Sequence, residues 1–194
     1  MINYFENTMR ILEKAVESLN QTDWDNTIKK CTEVVKNGGK IIASGLGKNV
    51  PICEKFVGTL NSFGIPAYFL HTNTAIHGDL GIVTEKDYVF LLSKSGNTVE
   101  SIILADYLLE RTENVCLMSC NKNSKLAETL PNSINLDLEH EGDLWNIAPN
   151  NSTTAFLIIL QGIAVTLSET LNIELQDFKK NHPGGSIGEK LRKV

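Results

Sequence analysis

The sequence predicts an α/β protein in which a parallel sheet lies between layers of helices. Short apolar runs with the length and residue types of buried strands recur along the chain. Segments with apolar residues at helical spacing separate these runs. Strands that alternate with helices pair in parallel, and helices then cover both faces of the sheet. The chain has 194 residues, which is enough for one domain with a sizeable core.

Two helices are predicted before the first strand. Apolar residues recur at helical spacing in residues 3–20, and a second helix, capped by Thr22 or Asp23, ends at Gly38-Gly39. These N-terminal helices cover about residues 1–37. They pack either on the side of the domain or on a partner subunit, and the sequence leaves both arrangements open.

Five strands and the helices between them make up the rest of the predicted domain. The predicted strands cover residues 40–44, 67–70, 87–92, 114–119 and 133–138. One helix is predicted to end at about residue 63, and the others cover residues 101–111, 125–128 and 152–171. A C-terminal tail covers about residues 177–194. Residues 1–194 are predicted to form a single domain, because no repeat or linker divides them.

One segment connects a predicted buried strand to a predicted helix and is rich in hydroxyls. We call it the serine turn: Ser93-Lys94-Ser95-Gly96-Asn97-Thr98-Val99-Glu100. A helix N-terminus exposes unpaired backbone N–H groups and the positive end of the helix dipole, so a phosphate fits there. The hydroxyls of Ser93, Ser95 and Thr98 add donors, and Gly96 lets the backbone approach the ligand. In the alternative interpretation, Ser95 or Thr98 caps the helix and no ligand binds.

Three other loops are predicted to meet the serine turn at one edge of the sheet. They are the loop that runs from Ser44 through Gly45, Gly47 and Lys48, the loop that contains His77, and the loop that contains Glu141. All of them follow strands, and the carboxyl ends of parallel strands share the edge at which open α/β sheets bind ligands. This convergence favours a phosphate site over a simple helix cap.

Composition and charge argue against several classes of function. The net charge is −5 without a basic cluster, which disfavours nucleic-acid binding. We find no apolar run that approaches the length of a membrane span, and the N-terminus lacks the pattern of a signal peptide. The four cysteines lack the spacing of metal ligands, and Cys116 and Cys120 are expected to be reduced packing residues. We therefore expect a cytoplasmic protein that uses no metal and does not bind membranes.

Five candidate residues near the predicted phosphate site carry charged or acid–base groups. They are Lys48, His77, Glu100, Glu141 and His182. Such a set suits proton transfer on a phosphorylated sugar. An aldose–ketose isomerisation moves a proton between adjacent carbons through an enediol, and it needs one base and a cation or donor near the developing oxyanion. Each residue also has a structural interpretation, as a solvated side chain, a partner of a helix dipole or a turn residue.

Five segments resemble a known family and occur in the same order as in that family. They are Gly45-x-Gly47-Lys48, His77-Gly78-Asp79-Leu80-Gly81, Ser93-x-Ser95-Gly96-x-Thr98-x-Glu100, Ala148-Pro149-x-x-Ser152-Thr153-Thr154 and His182-Pro183-Gly184-Gly185. They resemble the sugar isomerase (SIS) domain family, and within it the arabinose-5-phosphate isomerase branch, over about residues 30–192. The second and fifth segments are the more specific to this branch.

The resemblance implies a three-layer αβα sandwich with a five-stranded parallel sheet, which works as a homotetramer without a cofactor. The implied activity is the reversible conversion of D-ribulose 5-phosphate and D-arabinose 5-phosphate. This is the first step towards 3-deoxy-D-manno-octulosonate for lipopolysaccharide or capsule. The family's phosphosugar site falls on seven residues of this chain: Ser44, Gly45, Gly47, Ser93, Ser95, Gly96 and Thr98.

The family's active-site lysine falls on Lys48, its glutamates on Glu100 and Glu141, and its histidines on His77 and His182. We expect Glu141 to be the proton shuttle, because Glu100 lies in the first turn of a helix, where the dipole makes it less basic. Lys48 is expected to stabilise the enediolate or bind the phosphate. One histidine opens the sugar ring or relays protons, and subunit packing could place it in a neighbour's site.

The sequence departs from the family at three points. Asn49 stands where the family usually has Ser, and Glu141-Gly142-Asp143-Leu144 replaces its usual Glu-Ala-Cys-Pro. The chain also ends where many relatives continue into a pair of CBS domains, so we expect a stand-alone isomerase domain. Two alternatives follow. One is the isomerisation of another phosphosugar, such as a hexulose 6-phosphate, and the other is a non-catalytic phosphosugar-binding sensor.

Overall fold

Five short parallel strands form the centre of the fold. The computed structural model describes residues 2–192. The strands are β1 (Ile41–Gly45), β2 (Ala67–His71), β3 (Tyr88–Leu92), β4 (Val115–Ser119) and β5 (Asn132–Asn135). They pair in parallel in the order β2-β1-β3-β4-β5. The predicted five-stranded parallel sheet is therefore confirmed.

Helices precede the sheet, connect its strands and follow it. The α-helices are α1 (Ile2–Glu17), α2 (Gln21–Lys36), α3 (Asn49–Ser62), α4 (Thr72–Ala75), α5 (Val99–Leu109), α6 (Lys125–Thr129), α7 (Asn151–Thr170), α8 (Leu175–Lys180) and α9 (Gly185–Leu191). A short 3₁₀ helix covers Asp79–Ile82. The region predicted as a C-terminal tail thus contains α8 and α9.

The core lies on both faces of the sheet, because successive residues of a strand point to opposite faces. In β3, the side chains of Tyr88, Phe90 and Leu92 pack on the face covered by α2, α3 and α7. Val89 and Leu91 point to the other face, which is covered by α5 and α6. The predicted three-layer αβα sandwich is confirmed.

The two N-terminal helices pack on the domain itself. Ile11 and Ala15 of α1 are buried, and both α1 and α2 contact α7. The predicted cap of the second helix is wrong. Asn20 is the N-cap of α2, and its side-chain oxygen accepts a hydrogen bond from the backbone N–H of Asp23 at 3.1 Å. Thr22 and Asp23 lie inside the first turn, so they come too late in the chain to act as caps.

Helix α7 is long and apolar enough to cross a membrane by length and composition, so the sequence does contain one such run. In the fold it is a core helix, since Phe156, Leu160 and Ile163 are fully buried and α7 packs on α1, α2 and α3. Its apolar character is therefore explained by packing, and it does not by itself indicate a membrane span.

The strand order places a crevice between β1 and β3. β1 pairs with β2 on one side and with β3 on the other, so the connections after β1 and after β3 run in opposite directions along the sheet. The loops at the carboxyl ends of these two strands diverge, and in doubly wound sheets this is where ligands bind. The glycine-rich loop after β1 and the serine turn after β3 flank this point.

Candidate active site

A cleft of about 310 Å³ opens at the carboxyl ends of β1 and β3. Loops after β1, β3 and β5 and the first turns of α3, α5 and α7 form its walls. The lining residues are Leu46, Gly47, Lys48, Asn49, Leu92, Ser93, Lys94, Ser95, Thr98, Ser101, Glu141, Ile147, Pro149 and Ser152. The cleft combines hydroxyls, two lysines and a carboxylate with an apolar rim, so it suits a small polar anion.

The serine turn folds tightly because Gly96 takes a left-handed conformation, with φ of +64°. Ser93 Oγ accepts a hydrogen bond from the N–H of Gly96, and Ser95 Oγ accepts one from the N–H of Asn97, both at 3.2 Å. Thr98 is the N-cap residue of α5, but its side chain does not cap the helix. Thr98 thus occupies the predicted N-cap position but makes no side-chain capping bond, and Ser95 lies before the cap. Within residues 2–192, no side chain caps the first N–H groups of α5, and Thr98 and Ser101 at this end of the helix line the cleft.

Ser101 lies in the first turn of α5 and borders the cleft. It is only 1% exposed. Among the residues that the structure describes, no group forms a hydrogen bond with its hydroxyl. A buried hydroxyl without a partner is energetically costly, so a ligand oxygen in the cleft would satisfy it.

Lys48 is exposed at the N-cap position of α3, directly after Gly47, whose φ is +60°. Asn49, which stands where a serine was expected, donates a hydrogen bond from Nδ2 to the backbone oxygen of Leu92 at 3.3 Å. This bond joins the start of α3 to the end of β3. The substitution thus has a structural role at the floor of the cleft.

Glu141 is fully buried, and four donors hold its carboxylate. Oε1 accepts from Lys94 Nζ and from Ser152 Oγ, both at 2.7 Å. Oε2 accepts from the backbone N–H groups of Ser152 at 2.9 Å and Asn150 at 3.0 Å. The interpretation of Glu141 as a solvated surface residue is therefore wrong, because its side chain is buried. The carboxylate accepts hydrogen bonds from the start of α7 and pairs with Lys94 of the serine turn.

Two effects act on the pKa of Glu141. Burial raises it, but the Lys94 ammonium and the hydrogen bonds from Ser152 and Asn150 outweigh burial and hold it below its ordinary value. Glu141 is therefore ionised at neutral pH. The expected difference in basicity between Glu141 and Glu100 is weakened, since both carboxylates lie at the start of a helix. The two residues differ in position instead. Glu141 lines the cleft, whereas Glu100 is exposed and does not line it.

Residues 35–165 match the SIS domain family. The chain belongs to this family. Over 190 residues it is 32% identical to arabinose 5-phosphate isomerase KdsD of Pseudomonas aeruginosa, covering 98% of this chain and 58% of that protein. Over 153 residues it is 35% identical to arabinose 5-phosphate isomerase KpsF of Escherichia coli, covering 79% of this chain and 48% of that protein. The chain thus spans about half the length of the curated relatives it matches.

A solved structure is also similar to this SIS domain. It is a protein of E. coli CFT073 in complex with arabinose 5-phosphate, with a TM-score of 0.86 and 30% sequence identity. The superposition covers 93% of this chain and 94% of that chain. The two therefore share the whole αβα arrangement, including the edge of the sheet at which the cleft opens.

The cleft of this SIS domain brings together many of the residues predicted from the sequence. Those that line it are Gly47, Lys48, Ser93, Ser95, Thr98 and Glu141. Three others lie beneath the lining. Gly96 forms the serine turn. The Ser44 hydroxyl is buried 3.1 Å from that of Thr72. A Cβ on Gly45 would meet that of Asn49 at 2.8 Å, so this glycine lets α3 approach the sheet.

The two histidines lie outside the lining of this single-chain cleft. His77 is exposed between α4 and the 3₁₀ helix. The His182 ring stacks on Phe178, with ring centroids 4.1 Å apart, and its Nδ1 is 2.8 Å from the backbone oxygen of Phe178. Their predicted roles therefore require another subunit or a conformational change.

Sequence reasoning missed Lys94 and Ser101 as cleft residues. Lys94 stands between two predicted phosphate-binding serines, and this was a signal for a cation at the site. Ser101 follows Glu100 at a position that could face either the cleft or the core, so the sequence carried no clear signal. Within residues 2–192, no group of three or more His, Cys, Asp or Glu side chains is arranged to hold a metal ion.

Proposed function

We propose that this chain is an aldose–ketose isomerase that interconverts D-ribulose 5-phosphate and D-arabinose 5-phosphate. The observation that carries the proposal is the presence, in one cleft, of an uncapped anion-binding turn and a buried, ionised carboxylate. The turn suits a phosphate, and the carboxylate suits proton transfer. The names of the arabinose 5-phosphate isomerase relatives and the arabinose 5-phosphate bound in the similar structure support this substrate.

In the proposed reaction, the phosphate of the open-chain sugar binds to the serine turn and the N-terminus of α5. The carboxylate of Glu141 takes the proton from C2 of arabinose 5-phosphate, and an enediol forms as O1 takes a proton from water. Glu141 returns its proton to C1 while O2 gives its proton to water, which yields ribulose 5-phosphate. Lys48, which lines the same cleft, stabilises the negative charge that develops on the enediolate oxygen.

Ring opening needs a further acid–base group. His77 and His182 are the proposed candidates, and they would act as part of a homotetramer in which one subunit completes the cleft of another. Three apolar side chains at or near the cleft rim are strongly exposed in the single chain: Leu144 at 88%, Trp145 at 73% and Ile147 at 74%. A neighbouring subunit would bury such a surface. In the reverse direction, the arabinose 5-phosphate formed from ribulose 5-phosphate would supply 3-deoxy-D-manno-octulosonate synthesis in the cytoplasm.

The test is proton exchange followed by NMR. Purified protein is incubated with D-arabinose 5-phosphate in heavy water. We expect ribulose 5-phosphate to form and deuterium to appear at C2 of the aldose, because a shuttled proton exchanges with solvent. The Glu141→Gln variant should lose at least about 100-fold in kcat, as expected for loss of a general base. The matched control is Glu128→Gln, which changes an exposed glutamate of α6.

Two outcomes would replace this proposal. If the protein labels or converts only a six-carbon ketose phosphate, the mechanism holds but the substrate is a hexulose phosphate. This outcome would agree with the altered segment after Glu141. If arabinose 5-phosphate raises the melting temperature but neither product nor label appears with either sugar, the chain is a phosphosugar-binding sensor.

A further inference from the structure

Lys94 makes the one direct side-chain contact that we find, among the described residues, between the serine turn and Glu141. Its Nζ lies 2.7 Å from Glu141 Oε1. The side chain of Lys94 is 42% exposed, whereas that of Glu141 is 0% exposed. The ammonium therefore sits at the boundary between the cleft and the buried carboxylate, where it contacts both solvent and the carboxylate.

The backbone of Lys94 is fixed from the opposite side. Its carbonyl oxygen accepts a hydrogen bond from Ser119 Oγ and another from the N–H of Cys120, both at 3.0 Å. Ser119 ends β4, and Cys120 follows it directly. The side chain of Lys94 therefore starts from a rigid point at the edge of the sheet and reaches across the cleft to Glu141.

We propose that Lys94 is a positioning residue for Glu141, whose ammonium neutralises the buried carboxylate and fixes the orientation of Oε1 at the cleft. This inference rests on the proposed isomerase function, in which Glu141 moves the proton. The other donors to this carboxylate all come from Asn150 and Ser152 at the start of α7. Among these donors, only Lys94 belongs to the serine turn, where the phosphate is proposed to bind. The contact therefore links the position of the proposed base to that of the phosphate site.

Two lysines line the cleft, and their surroundings assign them different tasks. In the part of the chain that the structure describes, no carboxylate forms an ion pair with Lys48. Its charge is thus available to a phosphate or an enediolate. The charge of Lys94, in contrast, is paired with that of Glu141. The cleft then holds one cation for the base and one for the substrate.

The groups around Glu141 determine how Lys94 affects its protonation. Lys94 and the positive N-terminus of α7 favour the ionised form. The Cys120 thiol also lies nearby. Burial, followed by the charge of Glu141, raises its pKa to about 12, so it stays neutral. His140 precedes Glu141 and accepts a hydrogen bond from the N–H of Gly142 through Nδ1, so it does not donate to the carboxylate at that atom. Removing Lys94 therefore raises the pKa of Glu141.

The experiment compares Lys94→Met, which removes the charge and keeps the length, with Lys94→Arg, which keeps a cation. Steady-state kinetics with D-arabinose 5-phosphate are measured from pH 4 to pH 9, since the pKa of Glu141 is held below its ordinary value. For Lys94→Met we expect kcat to fall at least about tenfold while KM changes by less than about threefold. The acidic limb of the kcat profile should move up by about one pH unit, because an opposite charge lowers a carboxyl pKa by about 1–3 units.

Lys94→Arg should keep the acidic limb near its wild-type position and recover part of kcat. The matched control is Lys125→Met, which removes an exposed lysine 3.9 Å from Glu128 on α6 and should leave the kinetics unchanged. In the Glu141→Gln background, adding Lys94→Met should cost no further activity, because a residue that acts through Glu141 has no effect once Glu141 is gone. In Lys94→Met, the buried carboxylate of Glu141 loses its cation, and this loss alone can prevent folding. The double variant has no carboxylate at position 141, so it can still be measured in that case.

The inference is overturned if Lys94→Met keeps the wild-type kcat and pH profile, or if it raises only KM, as a phosphate contact would. It is also overturned if the double variant is much less active than Glu141→Gln. Failure of the proposed function is distinguishable, because the wild-type protein would then convert no pentose phosphate. In that case, NMR titration of ¹³C-labelled glutamate, assigned with Glu141→Gln, still tests the pairing. An unchanged Glu141 titration in Lys94→Met would contradict it.

Discussion

At the scale of single residues, the hydroxyl of Ser101 is a group to which a bound ligand would give a hydrogen-bond partner. It is buried against the cleft without a hydrogen-bond partner among the described residues. Such a group destabilises the free protein, and an oxygen of a bound ligand would satisfy it. The free-energy cost of the unpaired hydroxyl would thus be removed when the ligand binds.

We therefore predict that Ser101→Ala weakens the binding of arabinose 5-phosphate by about tenfold, the loss expected for one hydrogen bond to a charged group. The variant should be as stable as the wild type or slightly more stable in the absence of ligand. Calorimetric titration and thermal unfolding measure the two effects. Ser168→Ala is the matched control, since Ser168 lies on α7 and bonds the backbone oxygen of Val165. Equal affinities for wild type and Ser101→Ala would show that the hydroxyl does not contact the ligand.

The sequence predicted Glu141 as a candidate but did not reveal its environment. Local patterns identify a carboxylate after a strand, and the family resemblance marks it. The contact with Lys94 depends on how the loop after β5 crosses over the turn after β3, which no local spacing encodes. The same holds for Ser101, because its exposure is decided by the neighbouring loops.

At the scale of elements, the serine turn depends on Gly96. A Cβ at this position would lie 2.0 Å from Ser124 Oγ, the side chain that caps α6 by accepting a hydrogen bond from the N–H of Ala127. The turn is thus packed against the start of α6 and also needs a positive φ. Both features restrict the position to glycine.

Gly96→Ala should lower the free energy of unfolding by about 2–4 kcal/mol, because the new methyl group clashes and the backbone is strained. Urea unfolding followed by circular dichroism measures the change. Gly58→Ala offers a control of opposite sign. Gly58 lies within α3 with no atom within 4 Å of the added Cβ, so the change should stabilise the protein by about 0.5–1 kcal/mol. Similar effects at both sites would contradict the packing of the serine turn described above.

The positions of the elements were largely predictable, whereas some of their ends were not. Apolar runs identified all five strands of the sheet, although only β1, β3 and β4 are buried along their whole length. The last strand was predicted to reach residue 138, since Leu136 and Leu138 continue its alternation, but β5 ends at Asn135. Asn135 pairs with Ser119, the last residue of β4, so the ladder has no partner strand beyond this point. Strand ends are therefore set by the neighbouring strand, which a local pattern does not show.

At the scale of the whole molecule, Asp87 joins the segments that lead into β1 and β3. Its side chain is 1% exposed and lies 2.7 Å from Lys40 Nζ. It also accepts from the backbone N–H of Lys40 at 2.9 Å and from that of Thr84 at 2.8 Å. Burial raises the pKa of Asp87, but these contacts outweigh burial and hold the pKa below its ordinary value.

Asp87→Asn should therefore destabilise the protein by about 2–3 kcal/mol at pH 7, since it leaves a lysine unpaired and loses charged hydrogen bonds. Because the folded-state pKa is depressed, this stabilisation is present above the unfolded pKa of about 4 and is lost as the pH falls through the folded value. Chemical unfolding at pH 7, 5 and 3 should show the difference between the two proteins shrinking. Glu128→Gln, in an exposed pair with Lys125, should change stability little at any pH. A constant difference across pH would exclude the assigned charge effect.

The buried carboxylate of Glu141 has a consequence for how the substrate range of this protein can evolve. It holds the first backbone N–H groups of α7, so a substitution there would alter the chemistry and the start of a core helix together. Leu144, Trp145 and Ile147 follow it on the loop before α7, and their side chains are exposed in the single chain. Under the proposed function, changes of sugar preference are therefore expected at these three side chains and not at the Glu141 carboxylate.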